Sequence, residues 1–228
     1  MKKAAIAIFS LCCVSLGTLL GSSLTVGTDN AANDFPFSGP FYGYAGTDYQ
    51  EAYASSDFSG PIEITGIDFF LGDGFTGNLY SGTYTLSLSI ISSGIGSLSS
   101  TNLSGNLGSD DTVFETVALS GAAPGTLTFT GTPFLYDPSL GNLLLDISVA
   151  GGSGVGSTGV AYEDNNGVGT QVARYQNFGG GNGDGFGMVT EFDSNSGAAV
   201  APEPATLSWL LGCGLAGLLF RRSRRQTC

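Results

Sequence analysis

Residues Thr83–Ile91 alternate without a break, with Tyr84, Leu86, Leu88 and Ile90 on one side and Thr83, Thr85, Ser87 and Ser89 on the other. A period of two sorts these sets onto opposite faces of a pleated strand, whereas an amphipathic helix repeats every 3.6 residues. The same alternation recurs along the chain. Ile62 and Ile64 alternate with Glu63 and Thr65, and Ile67, Phe69 and Leu71 resume in the opposite phase, so Gly66 at the break reads as a bulge or kink. Further strands are predicted over Thr112–Leu119, Thr126–Thr130, Leu143–Val149, Gly159–Tyr162, Thr170–Gln176 and Phe186–Phe192, with turns at Leu71–Asn78, Gly121–Gly125 and Gly151–Gly156. No helical period is visible between Leu24 and the C-terminal tail, and 37 glycines weigh against helix throughout. The pattern predicts an all-β ectodomain, an antiparallel β-sandwich of jelly-roll type, with a barrel as the alternative.

Within Phe129–Ile147, Phe134 and Tyr136 alternate on an extended arm, Asp137-Pro138 opens a turn and Gly141-Asn142 closes it. Leu143, Leu145 and Ile147 then face one side while Leu144 faces the other, which predicts a central strand covered on both faces.

Charge narrows the functions. Between Leu24 and Ala201, Arg174 stands alone against 18 acidic residues, a net charge of −17. Such a surface repels phosphate backbones, so nucleic acid is excluded as a partner. The stretch holds no histidine, lysine or cysteine. Disulfides, Ser-His-Asp and Cys-His catalysis, histidine zinc sites and lysine Schiff bases are thereby excluded together. Cys12, Cys13, Cys213 and Cys228 all lie outside it.

The ends of the chain read as addresses. Met1-Lys2-Lys3 and the apolar Ala4–Leu20 form the charged and hydrophobic regions of a secretory signal peptide, residues 1–23, with the cut expected near Ser23. A lipoprotein cut at Cys12 or Cys13 would leave too short a hydrophobic region. At the other end, a linker at 197–201 leads to Pro202-Glu203-Pro204, an apolar run Ala205–Phe220, and Arg221, Arg222, Arg224 and Arg225. Sixteen helical residues span only about 24 Å, but local thinning and snorkelling arginines bring such a helix into transmembrane range. Four arginines keep their end in the cytoplasm.

These three elements, in this order and at the extreme C-terminus, resemble the PEP-CTERM sorting signal of Gram-negative bacteria. The resemblance covers residues 202–225 and implies recognition and cleavage near Pro202-Glu203-Pro204 by exosortase, a membrane-embedded cysteine transpeptidase. It also implies a membrane-anchored precursor that passes to the cell surface or extracellular matrix, in a bacterium that makes exopolysaccharide. A plain single-pass anchor is the competing reading. The segment Phe129–Ile147 (FTGTPFLYDPSLGNLLLDI) is similar to one recurring in PEP-CTERM ectodomains, with no activity attached to it.

Three stretches of the ectodomain, residues 24–196, offer chemistry. Gly179–Phe186 (GGGNGDGF) resembles a single calcium-binding nonapeptide, with Asp184 at the acidic position, but such repeats bind when stacked, and a hairpin loop is the simpler reading. Asp68 with Gly72-Asp73-Gly74, and Glu163-Asp164-Asn165-Asn166, are oxygen-rich loops suited to one structural calcium or to ordinary turn capping. Phe35, Phe37, Phe41, Tyr42, Tyr44, Tyr49 and Tyr53 are either core rings or a platform for sugars.

The sequence therefore predicts an exported, non-enzymatic surface or matrix protein, structural or adhesive, associated with exopolysaccharide or biofilm. A glycan-binding module assisted by calcium is the alternative. A two-carboxylate glycosidase is a third reading, for which no spacing singles out a pair.

Overall fold

A computed structural model describes residues 21–37, 47–153, 160–166, 171–176 and 182–195 of the 228-residue chain. The described strands are β1 (Gly21–Val26), β2 (Ala31–Asn33), β3 (Thr47–Tyr53), β4 (Ile62–Phe70), β5 (Ser81–Ile91), β6 (Thr112–Leu119), β7 (Thr126–Tyr136), β8 (Asn142–Ser153), β9 (Tyr162–Asn166), β10 (Val172–Gln176), β11 (Asn182–Asp184), β12 (Phe186–Met188) and β13 (Thr190–Asn195). Only short 3-10 turns accompany them among the described residues, at Ser55–Asp57, Ile95–Ser97 and Leu103–Asn106.

The strands form a four-stranded sheet in the order β1-β13-β4-β7, a six-stranded sheet β11-β10-β3-β8-β5-β6 and a three-stranded sheet β12-β9-β2. Every pairing is antiparallel. Each sheet keeps two edge strands, so the fold is not a barrel.

The two larger sheets share one core. Phe37 touches rings from both, Phe69 at 5.2 Å and Phe129 at 5.7 Å in the four-stranded sheet and Tyr84 at 5.6 Å in the six-stranded one. Tyr53 on β3 meets Phe192 on β13 edge to face at 5.0 Å. These rings are fully buried or nearly so, and each removes a large apolar area from water.

Local chemistry explains the register. At Gly66 the pairing of β4 slips against both β7 and β13, as the phase break in the sequence predicts. A Cβ there would come within 2.7 Å of Asp193 Oδ2, so glycine is what lets β13 lie against the bulge. The strand β8 is central, between β3 and β5, with Leu143, Leu145 and Ile147 in the main core. Leu144 faces the opposite side, where Ile91, Ile95, Leu103 and Tyr175 form a second cluster under the 92–107 connection. Ser87 and Ser89, on the polar face of β5, are buried too, and Ser89 Oγ accepts from the Gly108 amide at 3.1 Å, so the later half of a strand that reads as half-exposed is covered on both sides.

Several expected boundaries move. The strand predicted at Thr126–Thr130 runs on to Tyr136, absorbing the Phe134 arm. The one predicted at Gly159–Tyr162 begins where it was expected to end, at Tyr162. Phe186–Phe192 is divided between β12 and β13, which belong to different sheets. β1 starts at Gly21, so half of it lies at or before the expected signal-peptide cut near Ser23.

Candidate functional site

Tyr49, Glu51 and Tyr53 alternate on β3, so all three point inward from the six-stranded sheet. A carboxylate in an apolar core is costly unless its lone pairs are filled. Glu51 is fully buried, and its oxygens accept from the Tyr49 hydroxyl, the Tyr53 hydroxyl at 2.5 Å and the Met188 amide at 2.7 Å. Burial raises its pKa, and the same three donors pull it back. The Tyr53 hydroxyl also meets Thr190 Oγ1 at 2.9 Å, so Glu51 ties β3 to the segment joining β12 and β13.

Arg174, opposite Glu51 in the β3–β10 ladder, closes one side of this cluster. Its Nε and Nη2 donate to the two carboxylate oxygens of Asp184 at 3.0 and 2.6 Å, its Nη1 donates to Asn33 Oδ1 at 2.9 Å, and its guanidinium lies 5.5 Å from the Phe186 ring. The two-pronged geometry is the strong form of an arginine–carboxylate pair. Asn33 in turn donates to the Tyr49 hydroxyl at 2.9 Å, linking the ion pair to Glu51.

Asp164, on β9, is buried beside this network, and neither of its carboxylate oxygens has a hydrogen-bond partner. Burial, reinforced by the negative charge of Glu51 and opposed by Arg174, pushes its pKa up to about 7. Asp164 therefore carries a proton through much of the mildly acidic range.

A second acidic group lies on the outside of the four-stranded sheet. Asp68 on β4 and Glu191 on β13 are direct cross-strand partners, and with Asp193 they bring carboxylate oxygens within 4.8 Å of one another. Like charges facing across a ladder destabilise it, and a hard cation among them would reverse that sign.

The oxygen-rich loops are regrouped relative to the sequence reading. Asp68 joins Glu191 and Asp193, whereas Asp73 and Asp29 each lie in electrostatic range of Glu163. The Gly72 amide donates to the Ala161 carbonyl at 2.9 Å, which fixes the 72–74 turn beside β9. Asp164 turns inward, yet it still feels the charge of Asp29. Asp184, the acidic position of GGGNGDGF, is engaged by Arg174. Of the aromatic cluster, Phe37, Tyr49 and Tyr53 are completely buried, so these rings are core and not a sugar platform. Phe35 is half-buried against the same core, and Phe41, Tyr42 and Tyr44 lie outside the described residues.

Comparison with known proteins adds one match: residues 200–225 fit the family model of the PEP-CTERM protein-sorting motif. The chain carries a PEP-CTERM sorting domain. No curated protein and no solved structure matches it. The PEP-CTERM motif marks an exported, exosortase-targeted protein with a membrane-anchored precursor that is processed to the cell surface. The sorting residues Pro202, Glu203, Pro204, Arg221, Arg222, Arg224 and Arg225 lie outside the described residues, as do the expected helix 205–220 and most of the signal peptide. Among the described residues no helix is long and apolar enough to cross a membrane.

Sequence reasoning on this PEP-CTERM protein missed Glu51, Asn33, Glu191 and Asp193. One signal was available for the buried network: a lone arginine among 18 acidic residues is placed where its charge is needed. Nothing in the sequence marks Glu51, because Tyr49–Tyr53 is legible only as an alternating strand.

Proposed function

We propose that this chain is a structural or adhesive protein of the cell surface or extracellular matrix, delivered by exosortase and acting within the exopolysaccharide of a Gram-negative biofilm. The observation that carries the reading is the sorting motif at residues 200–225, attached to a self-contained β domain. The interior polar groups support a structural role. Glu51 and Arg174 have their hydrogen bonds filled by neighbouring strands, and this is how a buried charge is retained for fold specificity. We infer that the chain is not an enzyme and needs no cofactor.

We read the two larger sheets as a jelly-roll sandwich. Their orders, β1-β13-β4-β7 and β3-β8-β5-β6, place the first strand beside the last and send β3, β4 and β5 to alternate sheets, as a double Greek key does. Strands β10 and β11 extend one edge, and the three-stranded sheet covers one end.

A calcium-assisted glycan-binding module is the second reading, favoured by the convergence of Asp68, Glu191 and Asp193. The purified ectodomain on an array of exopolysaccharide fragments, with calcium or chelator, separates the two. Matrix retention without fragment binding supports the structural reading, calcium-dependent binding supports the second, and release of shortened glycan would overturn both.

A further inference from the structure

The two ends of the ectodomain leave it side by side. Gly21, the first residue of β1, pairs with Asn195, the last of β13. The same cross-strand row continues from Asn195 to Glu63 on β4, and from Glu63 to Leu135 on β7. Adjacent strands stand about 4.8 Å apart, so Leu135 lies roughly 10 Å from the point where the chain departs toward its sorting motif. Only residues 196–201 separate Asn195 from Pro202. Six residues reach at most about 20 Å, so a tail held in a bilayer keeps this end of the domain within that distance of the surface.

Of the four large apolar side chains exposed among the described residues, three lie toward this end, while the fourth, Phe186 on β12, lies beneath the Arg174 guanidinium. Val113, Leu135 and Leu140 are 52%, 62% and 67% exposed. Leu140 sits in the Asp137–Gly141 turn, directly after the β7 residue that pairs with Ile62, and Val113 is the second residue of β6, paired with Ser87. The opposite end, past the Val26–Thr190 and Thr190–Phe69 pairs, meets β9 through the Leu71–Tyr162 bridge and the Gly72–Ala161 hydrogen bond, and carries the acidic group Asp29, Asp73 and Glu163.

Resting on the reading of an anchored precursor, we infer that the end bearing Gly21, Asn195, Leu135 and Leu140 lies against the bilayer, while the three-stranded sheet and its acidic loops point outward. The occupant of the apolar patch is a neutral lipid surface. A few exposed side chains do not hold a free domain on a membrane, but a short tether raises the effective concentration to the millimolar range and makes weak contacts count. Glu63, Asp110, Asp111 and Asp137 lie in or beside this end, so anionic headgroups weaken the contact.

The test uses the full chain with its single tryptophan removed by Trp209→Phe, and one indole introduced either by Leu140→Trp or, in the Gly72–Asn78 turn at the far end, by Phe75→Trp. Each is reconstituted in phosphatidylcholine vesicles with brominated acyl chains. The expected result is flotation with the vesicles, with at least twofold stronger quenching for Leu140→Trp than for Phe75→Trp, and a smaller difference when anionic lipid is added. Equal quenching, or quenching of Phe75→Trp alone, would overturn the orientation while leaving the anchor intact. A blue-shifted Leu140→Trp indole without quenching would show protein, such as a second copy, on the patch and overturn the lipid assignment. A chain left in the soluble fraction would overturn the anchor and the orientation with it.

Discussion

Arg174 stands directly opposite Glu51 in the pairing of β10 with β3, yet its guanidinium donates to Asp184 and Asn33, while Glu51 accepts from Tyr49, Tyr53 and Met188. A fully buried carboxyl group and a partly buried guanidinium thus hold different strands, joined through the Asn33–Tyr49 hydrogen bond. Removing the cation leaves Asp184 with the Phe186 amide in place of its two-pronged partner, and leaves the Glu51 carboxyl group less compensated. Arg174→Leu is expected to cost about 1.5–3 kcal/mol in urea unfolding, the range for hydrogen bonds to charged groups, since the Arg174–Asp184 pair is only partly buried. Arg174→Lys should recover part of that loss, since it keeps the charge but not the two-pronged geometry. A change of less than about 0.5 kcal/mol for Arg174→Leu would show the network to be dispensable.

Asp164 gives the ectodomain a pH dependence of definite sign. Its folded pKa of about 7 lies above the ordinary carboxylate value of 3.8. Between those values the native state holds a proton that the unfolded chain has released, so this group's contribution to stability falls as pH rises from about 4 to 7 and is level above that. Asp146, pushed up to about 6 by burial, adds to the same slope over its lower part. Asp164→Asn should raise Tm at pH 8 by about 2–8 °C and flatten the profile between pH 4 and 7. An unchanged slope would mean that Asp164 is ionised in the native state.

The strands were legible in the sequence where one face is apolar, as at Tyr84, Leu86 and Leu88, and the Gly66 bulge was legible as a break of phase. Partner choice was not. That β13 would leave β12 and enter between β1 and β4 depends on long-range packing of Phe192 against Tyr53 and Phe58, which no local pattern records. The acidic trio was hidden for the same reason: Asp68 and Glu191 are distant in sequence and become neighbours only through that insertion. The sorting motif needed no fold, because its three parts are contiguous.

The calcium-assisted alternative makes its own prediction at the acidic trio. Calcium bound there raises Tm by mass action, with about 2.7 kcal/mol expected at a hundredfold excess over Kd. Magnesium, which dehydrates reluctantly, should give much less. Asp193→Asn should abolish the shift while leaving the unliganded protein as stable or more so, since it relieves repulsion among Asp68, Glu191 and Asp193. Equal Tm in calcium, magnesium and chelator would retire the calcium reading.

β1 offers a test of where the mature domain begins. Gly21, Ser22 and Ser23 pair with Asn195, Ser194 and Asp193, and the Ser22 and Ser194 hydroxyls meet at 3.0 Å. An ectodomain starting at Gly21 should exceed one starting at Leu24 by about 1–2 kcal/mol in urea unfolding, from a few added ladder bonds. Equal stability would show those residues to be expendable, as a cut near Ser23 requires.

Delivery by exosortase is tested most directly at the sorting triplet. A proline donates no backbone hydrogen bond and disfavours helix at the residue before it, so a Pro-Glu-Pro triplet suits an enzyme that takes its substrate as an extended chain. Precursor size and location are followed by blot for the wild type and for Pro202→Ala, Glu203→Ala, Pro204→Ala combined, in cells with and without exosortase. The wild type is expected to be shortened and to reach the surface only when exosortase is present, while the triple variant is expected to insert normally and accumulate as full-length precursor. Equal processing of the two tails, or processing that persists without exosortase, would contradict delivery by exosortase and leave residues 202–225 as a plain anchor.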